Sequence, residues 1–152
     1  MITRPGGVAV TVATNVAGDT TSITVPGGAS GRLHAFTHSP ATRTDTETAP
    51  PVSGQEDAAT RTNTTVWQPD GAVTQVQRPG GASYDYVYHT TSSGGHDGRL
   101  WTETLPDVLG AGSRPVVSYG YRPVTATPSS GNGALSSVEH SDGVRLEYAY
   151  DG

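Results

Sequence analysis

Gly133-Ala134-Leu135-Ser136-Ser137-Val138-Glu139-His140-Ser141-Asp142-Gly143-Val144-Arg145-Leu146-Glu147-Tyr148-Ala149-Tyr150-Asp151-Gly152 reads as one hairpin: an aliphatic two residues after a glycine, a Gly-containing turn, and a closing Tyr-x-Tyr pair. The same phrase runs from Gly71-Ala72-Val73 to Tyr86-Val87-Tyr88, and again from Gly98-Arg99-Leu100 to Tyr119-Gly120-Tyr121. Recurrence at a spacing of about 27 to 40 residues marks a modular array, in which each unit buries its apolar face against its neighbours.

A register follows from the turn chemistry. If Asp142-Gly143 forms a two-residue hairpin turn, Leu135 lies opposite Tyr150, Ser137 opposite Tyr148 and Glu139 opposite Leu146, all on one face. The other face then carries Ser136 with Ala149, Val138 with Glu147 and His140 with Arg145. A turn at Gly80-Gly81 sets Val73 opposite Tyr88, Gln75 opposite Tyr86 and Gln77 opposite Tyr84. A turn centred on Gly110-Ala111 sets Leu100 opposite Tyr121 and Thr102 opposite Tyr119. Each aromatic–aliphatic pair contributes roughly 0.2–1 kcal/mol, so a lone hairpin would not stand and stacking is required.

Three phrases carry a resemblance: Gly98-Arg99-Leu100 followed by Pro106-Asp107, residues 133 to 152, and Trp67-Gln68-Pro69-Asp70-Gly71. They resemble the tyrosine-aspartate (YD) repeats of the RHS family. The likeness is close over residues 65 to 152 and looser over 18 to 64, where His34-Ala35-Phe36-Thr37 and Pro50-Pro51 are similar to segments between such repeats. The aspartate after Tyr-x-Tyr is present as Asp151, whereas His89 and Arg122 stand at the matching places, and Trp67 stands where a tyrosine would close the first, looser unit. The resemblance implies an all-β array of antiparallel hairpins forming a curved sheet, a strip of a hollow β shell. Such shells enclose or present a C-terminal toxin or effector. The implied partners are the rest of the same polypeptide, both further repeats and a toxin domain, and the implied location is secreted or cell-surface. Some RHS proteins cleave themselves with a paired-aspartate region; no stretch here matches it, and that activity is not carried over.

The residues agree with an all-β module. Hydrophobic residues make up 33% of the 152, against 20 glycines and 11 prolines, and no apolar set recurs at helical spacing, so many short strands and almost no helix are expected. Two domains are drawn: 1–64, a degenerate repeat region with a long Thr/Pro-rich loop, and 65–152, the regular hairpins, cut within the array. Val8 to Val16 and Thr20 to Val25 are predicted strands around Ala17-Gly18-Asp19. Leu33 to Thr37 and Thr64 to Trp67 are expected to form the loose first hairpin. The segment 38–63 that joins them is far longer than a hairpin loop and is either flexible or holds a short extra strand. The regular hairpins are joined at Thr90 to Asp97 and at Arg122 to Asn132.

Charge separates the partner classes. The net charge is −5, all nine basic residues are arginines, and they are scattered. A nucleic-acid partner would need a positive stripe to displace counterions, so none is expected. The lack of lysine fits the codon composition of a GC-rich bacterium and says nothing of mechanism. Cysteine is absent, which removes disulfides, thiol catalysis and thiolate metal sites. Met1-Ile2-Thr3-Arg4-Pro5-Gly6-Gly7 lacks the apolar core of a signal peptide, and no run is long enough to cross a bilayer, so membrane insertion is not expected. The chain stops inside the phrase that leads to another unit. The expectation is a piece of a longer array, with any export signal or toxin domain outside it.

No catalytic, cofactor or metal residues are assigned, and no enzyme activity is expected. His96-Asp97 and His140 with Asp142 have acid–base chemistry but lie in turns, where Asp and Gly serve the backbone. His34 and His38 have a helical metal spacing within a segment that reads as strand, with no third ligand. Asp70-Gly71, Asp97-Gly98, Asp142-Gly143 and Asp151-Gly152 lack the ligand density of a calcium loop and read as turns. The tyrosines Tyr84, Tyr86, Tyr88, Tyr119, Tyr121, Tyr148 and Tyr150 form a ladder if the hairpins stack, which packing explains. Flat aromatic faces flanked by Ser, Thr and Gln also suit sugar rings, so the alternative function is a cell-surface carbohydrate-binding or adhesive module.

Overall fold

The computed structural model describes residues 2–3, 9–26, 32–50, 61–90, 96–107, 110, 112–124 and 132–150. Among them there is no α-helix, and the fold is all-β. The chain divides into two compact units, Met1–Ala82 and Ser83–Gly152.

The first unit contains β1 (Ile2–Thr3), β2 (Ala9–Thr14), β3 (Thr20–Val25), β4 (Arg32–Ser39), β5 (Thr44–Thr48), β6 (Thr62–Trp67) and β7 (Val73–Gln77). The second contains β8 (Ser83–Tyr88), β9 (Leu100–Thr104), β10 (Val116–Tyr121), β11 (Leu135–His140) and β12 (Arg145–Glu147). Within each unit every strand pairs antiparallel with the next in sequence, which gives a meander.

One turn device recurs. At Asn15, Gln68, Arg78 and His140 the residue's N–H donates to the carbonyl four positions on (2.9, 2.9, 2.7 and 2.8 Å), and the amide of the intervening glycine donates back to the residue's own carbonyl. Those glycines, Gly18, Gly71, Gly81 and Gly143, have φ of 93, 87, 87 and 92°. This is the three-residue hairpin loop, a tight turn followed by a left-handed residue that forms a bulge. Aspartate tightens two of the turns, since Asp70 Oδ1 accepts from Ala72 N–H (2.9 Å) and Asp142 Oδ1 from Val144 N–H (3.0 Å).

The three-residue loop corrects the predicted register. A two-residue type I′ turn needs positive φ at Asp142, yet Arg43 is the one non-glycine residue with positive φ among the described residues. Ser137 therefore pairs with Glu147, Val138 with Leu146 and Glu139 with Arg145, not Ser137 with Tyr148 or Glu139 with Leu146. Thr102 pairs with Ser118, not Tyr119. Both slips are one residue, and one residue exchanges which side chains share a face.

The first hairpin is also corrected. The segment 38–63 holds β5, which pairs with β4 on one side and β6 on the other, so Leu33 and Trp67 are not hairpin partners. Residues 51–60 of that segment lie outside the described residues. The aliphatic that opens each unit instead pairs with the aromatic that closes the strand before it: Trp67 with Val73, Tyr88 with Leu100 and Tyr121 with Leu135. A bulge immediately precedes each of these aromatics.

Burial is shallow. Among the described residues Val10, at 7% exposure, is the only buried hydrophobic side chain, and no polar side chain is buried. Tyr148, expected within a buried ladder, is 42% exposed, and Leu146 is 58% exposed. Cross-strand pairing and half-covered aromatic faces hold these units together.

Candidate functional site

The densest gathering of chemically versatile side chains lies where β8 passes into β9. His89 N–H donates to Arg99 O (2.8 Å), Gly98 N–H to His89 O (3.0 Å) and Arg99 N–H to His96 O (3.0 Å). These bonds bring His89, His96 and Arg99 to one place. Beyond them, Tyr88 pairs with Leu100 and Val87 with Thr102, so Trp101 is the extra residue of the bulge. Its indole is 51% exposed and stacks on the His89 imidazole at 5.7 Å and 29°.

Tyr121 of β10 closes the cluster. Its hydroxyl donates to Leu100 O at 2.9 Å. Its ring meets His89 edge-on at 5.9 Å and His96 at 5.7 Å, and the Arg99 guanidinium lies 5.2 Å over it. Burial pushes the Tyr121 phenol above its ordinary pKa, while Arg99 pulls it back. Gly133 is buried against Arg99: a Cβ there would stand 2.9 Å from Arg99 Nη2, on a backbone with φ of 69°. His96 Nδ1 is buried without a hydrogen-bond partner.

Part of this cluster repeats at the next link. Tyr150 OH donates to Leu135 O at 2.7 Å, and Arg122 lies 5.1 Å over the Tyr150 ring. The tyrosine–carbonyl bond and the arginine cover are common to both links, and of the two only the β8–β9 link carries the two imidazoles and the exposed indole. His89 and Arg122, which follow the Tyr-x-Tyr pairs, lie against those two rings, His89 edge-on to Tyr121 and Arg122 over Tyr150. The sequence singled out His96 only as a turn residue beside Asp97 and Arg99 only within the Gly-Arg-Leu phrase, and Trp101 carried no signal.

The other candidate residues fall into structural roles. His140 Nδ1 sits 2.8 Å from Asp142 Oδ1 inside the β11–β12 turn. The Val144 amide, and then His140, hold the Asp142 carboxyl below its ordinary pKa. His96 faces the aromatic cluster while Asp97 is exposed in the turn. His34 and His38 share a face of β4 but would be about 13 Å apart along an extended strand, too far for one ion. Each faces a carboxylate on β5 instead, His34 with Glu47 at 3.6 Å and His38 with Asp45 at 2.5 Å. Asp151-Gly152 lies outside the described residues. No group of three or more His, Cys, Asp or Glu could hold a metal among the described residues. No described helix is long and apolar enough to cross a membrane.

No protein-family model matches the chain, and a search of curated proteins finds no relative. The cluster offers a flat, partly open aromatic surface with polar edges, a shape suited to stacking.

Proposed function

We propose that this chain is a structural repeat segment of a larger RHS-type protein, wall material for a β shell that encloses or presents a C-terminal toxin or effector. The observation that supports this reading is shallow burial combined with a repeated register. An independent domain of this length ordinarily builds a core, whereas here one hydrophobic side chain is buried among the described residues. Such a sheet gains most from further layers of the same polypeptide. On this reading the protein is secreted or surface-exposed and works by shielding. Limited proteolysis of the longer polypeptide tests it: an intact array keeps the downstream domain protected, and loosening the array by Tyr121→Ala exposes it. Equal digestion in both would overturn the reading.

A second reading, a carbohydrate-binding or adhesive surface, is favoured by the half-exposed Trp101 stacked on His89. Tryptophan fluorescence during titration with neutral oligosaccharides tests it. Binding that is lost in Trp101→Ala supports this reading, and an unchanged signal removes it.

A further inference from the structure

β12 begins a relationship that two other strands of the second unit complete. β8 ends Tyr86-Val87-Tyr88 and β10 ends Tyr119-Gly120-Tyr121, and each is followed by a strand whose opening leucine, Leu100 or Leu135, pairs with the second tyrosine. With those neighbours in place, Tyr84, Tyr86, Tyr88, Tyr119 and Tyr121 are half-buried. β12 runs into a third copy, Tyr148-Ala149-Tyr150, and among the described residues it pairs with β11 alone. Val144, Leu146, Tyr148 and Tyr150 are exposed there, four of the nine large hydrophobic side chains exposed among the described residues.

The backbone of this edge is open as well. His140 N–H donates to Val144 O and Tyr148 N–H to Ser136 O, so the backbone groups of Val144, Leu146 and Tyr148 face β11. By alternation the N–H and C=O groups of Arg145, Glu147 and Ala149 point away from it. The charged side chains of Arg145 and Glu147 lie on the face opposite Leu146, where they pair with each other at 3.1 Å. A row of outward backbone groups beside an apolar strip is a template for strand addition.

We propose that the β12 edge takes an antiparallel strand opening Gly-x-Leu from a further unit of the same polypeptide, its leucine opposite Tyr150. β8 and β9 supply the register. Asp85 and Val87, which stand where Glu147 and Ala149 do, pair with Thr104 and Thr102. The incoming strand therefore meets Ala149 with the second residue after its leucine and Glu147 with the fourth. Its aliphatic side chain covers Tyr150 as Leu100 covers Tyr88, and its backbone satisfies the outward groups of Glu147 and Ala149. This occupant rests on the reading of the chain as a repeat segment and not on what the array encloses.

The test adds a capped peptide of residues 97–106, which carries β9 and its Gly98-Arg99-Leu100 opening, to the isotopically labelled full chain and reads amide exchange by NMR. At saturation, exchange at Glu147 and Ala149 is expected to slow at least tenfold, with less than a twofold change at Leu146, which faces β11. The Leu100→Asp peptide, whose substitution leaves the folding of the chain untouched, should bind at least tenfold more weakly. The same loss is expected for the unaltered peptide on a Tyr150→Ala chain. A nitroxide on the amino end of the peptide should broaden Tyr150 more than Val144, as an antiparallel strand requires. Unchanged exchange at Glu147 and Ala149, equal binding of the Leu100→Asp peptide, or stronger broadening at Val144 would overturn the proposal. Protection of those amides that grows with chain concentration in the absence of peptide would make the occupant a second copy, and would overturn it too. The enclosure reading is decided separately, by proteolysis of the longer polypeptide.

Discussion

Arg114, two residues ahead of β10, reaches across β9 to pair with Asp85 on β8. Its guanidinium also donates to the carbonyls of Ser83 (2.5 Å), Thr104 (3.0 Å) and Leu105 (3.0 Å). One side chain thus ties three strands of the second unit through four acceptors. Both partners are only about a third exposed, 34% and 31%, so the pair is shielded from the screening that makes surface ion pairs weak.

Arg114→Ala is therefore expected to destabilise by about 2–3 kcal/mol, the scale of hydrogen bonds to a charged group. Arg114→Lys should recover less than half of that, because an ammonium lacks the planar fork. Urea denaturation of the three proteins measures both effects.

The left-handed glycine of the β11–β12 turn is expected to be indispensable in the same sense. Gly143 has φ of 92° and open space around its Cβ position, so strain alone decides the outcome. Gly143→Ala should cost about 1–2 kcal/mol. Asp142→Ala, which removes the acceptor for Val144 N–H, should show its effect above the carboxylate range and lose it as pH falls. The sign follows because the folded state holds the Asp142 proton less tightly than the unfolded chain does. Thermal melts across pH 2–7, an interval spanning the ordinary carboxylate pKa, would display it.

Alkaline pH should strain the second unit. Burial raises the Tyr119 phenol above its ordinary pKa, and donation of its hydroxyl to Glu103 Oε2 at 3.1 Å raises it further. A folded pKa above the unfolded one means that the folded state retains a proton the unfolded chain releases. Stability then falls as pH rises beyond about 10. Tyr119→Phe should flatten this loss in melts between pH 8 and 12, and an unchanged slope would show that Tyr119 does not control it.

Register is open to a direct chemical test, since the chain has no cysteine to compete. Ser137 and Glu147 are cross-strand partners. They form a non-hydrogen-bonded pair, because Val138 faces Leu146 and Tyr148 N–H donates to Ser136 O at 3.0 Å. Ser137→Cys with Glu147→Cys should form an intramolecular disulfide in air, and Ser137→Cys with Tyr148→Cys should form it poorly. The reverse outcome would restore the two-residue turn.

The strands were legible where apolar residues alternate beside turn residues: β3 covers Thr20–Val25 as read, and β11 begins at Leu135. The register was not, because Asp-Gly serves both a two-residue turn and the last two places of a three-residue loop, and glycine has positive φ in either. β5, Thr44–Thr48, carries no aliphatic residue and so merged into its long connection. The aromatic cluster depends on a bulge that leaves Trp101 unpaired, and pattern alone does not locate a bulge. Arg114 gave no signal because its partners are mostly backbone carbonyls.

The bulged pairs at the strand ends separate length from pairing. Three links are closed by equivalent bonds, Gln68 to Ala72, His89 to Arg99 and Arg122 to Ala134, yet they span residues 69–71, 90–98 and 123–133. The same closing bond is therefore made across connections of three, nine and eleven residues. In the two longer spans, a change of length between the residues that pack, His96 and Gly133, and the preceding strand leaves the closing bond and the ladder beyond it in place. Connection length is thus a variable that evolution, or an engineer, can change separately from strand pairing.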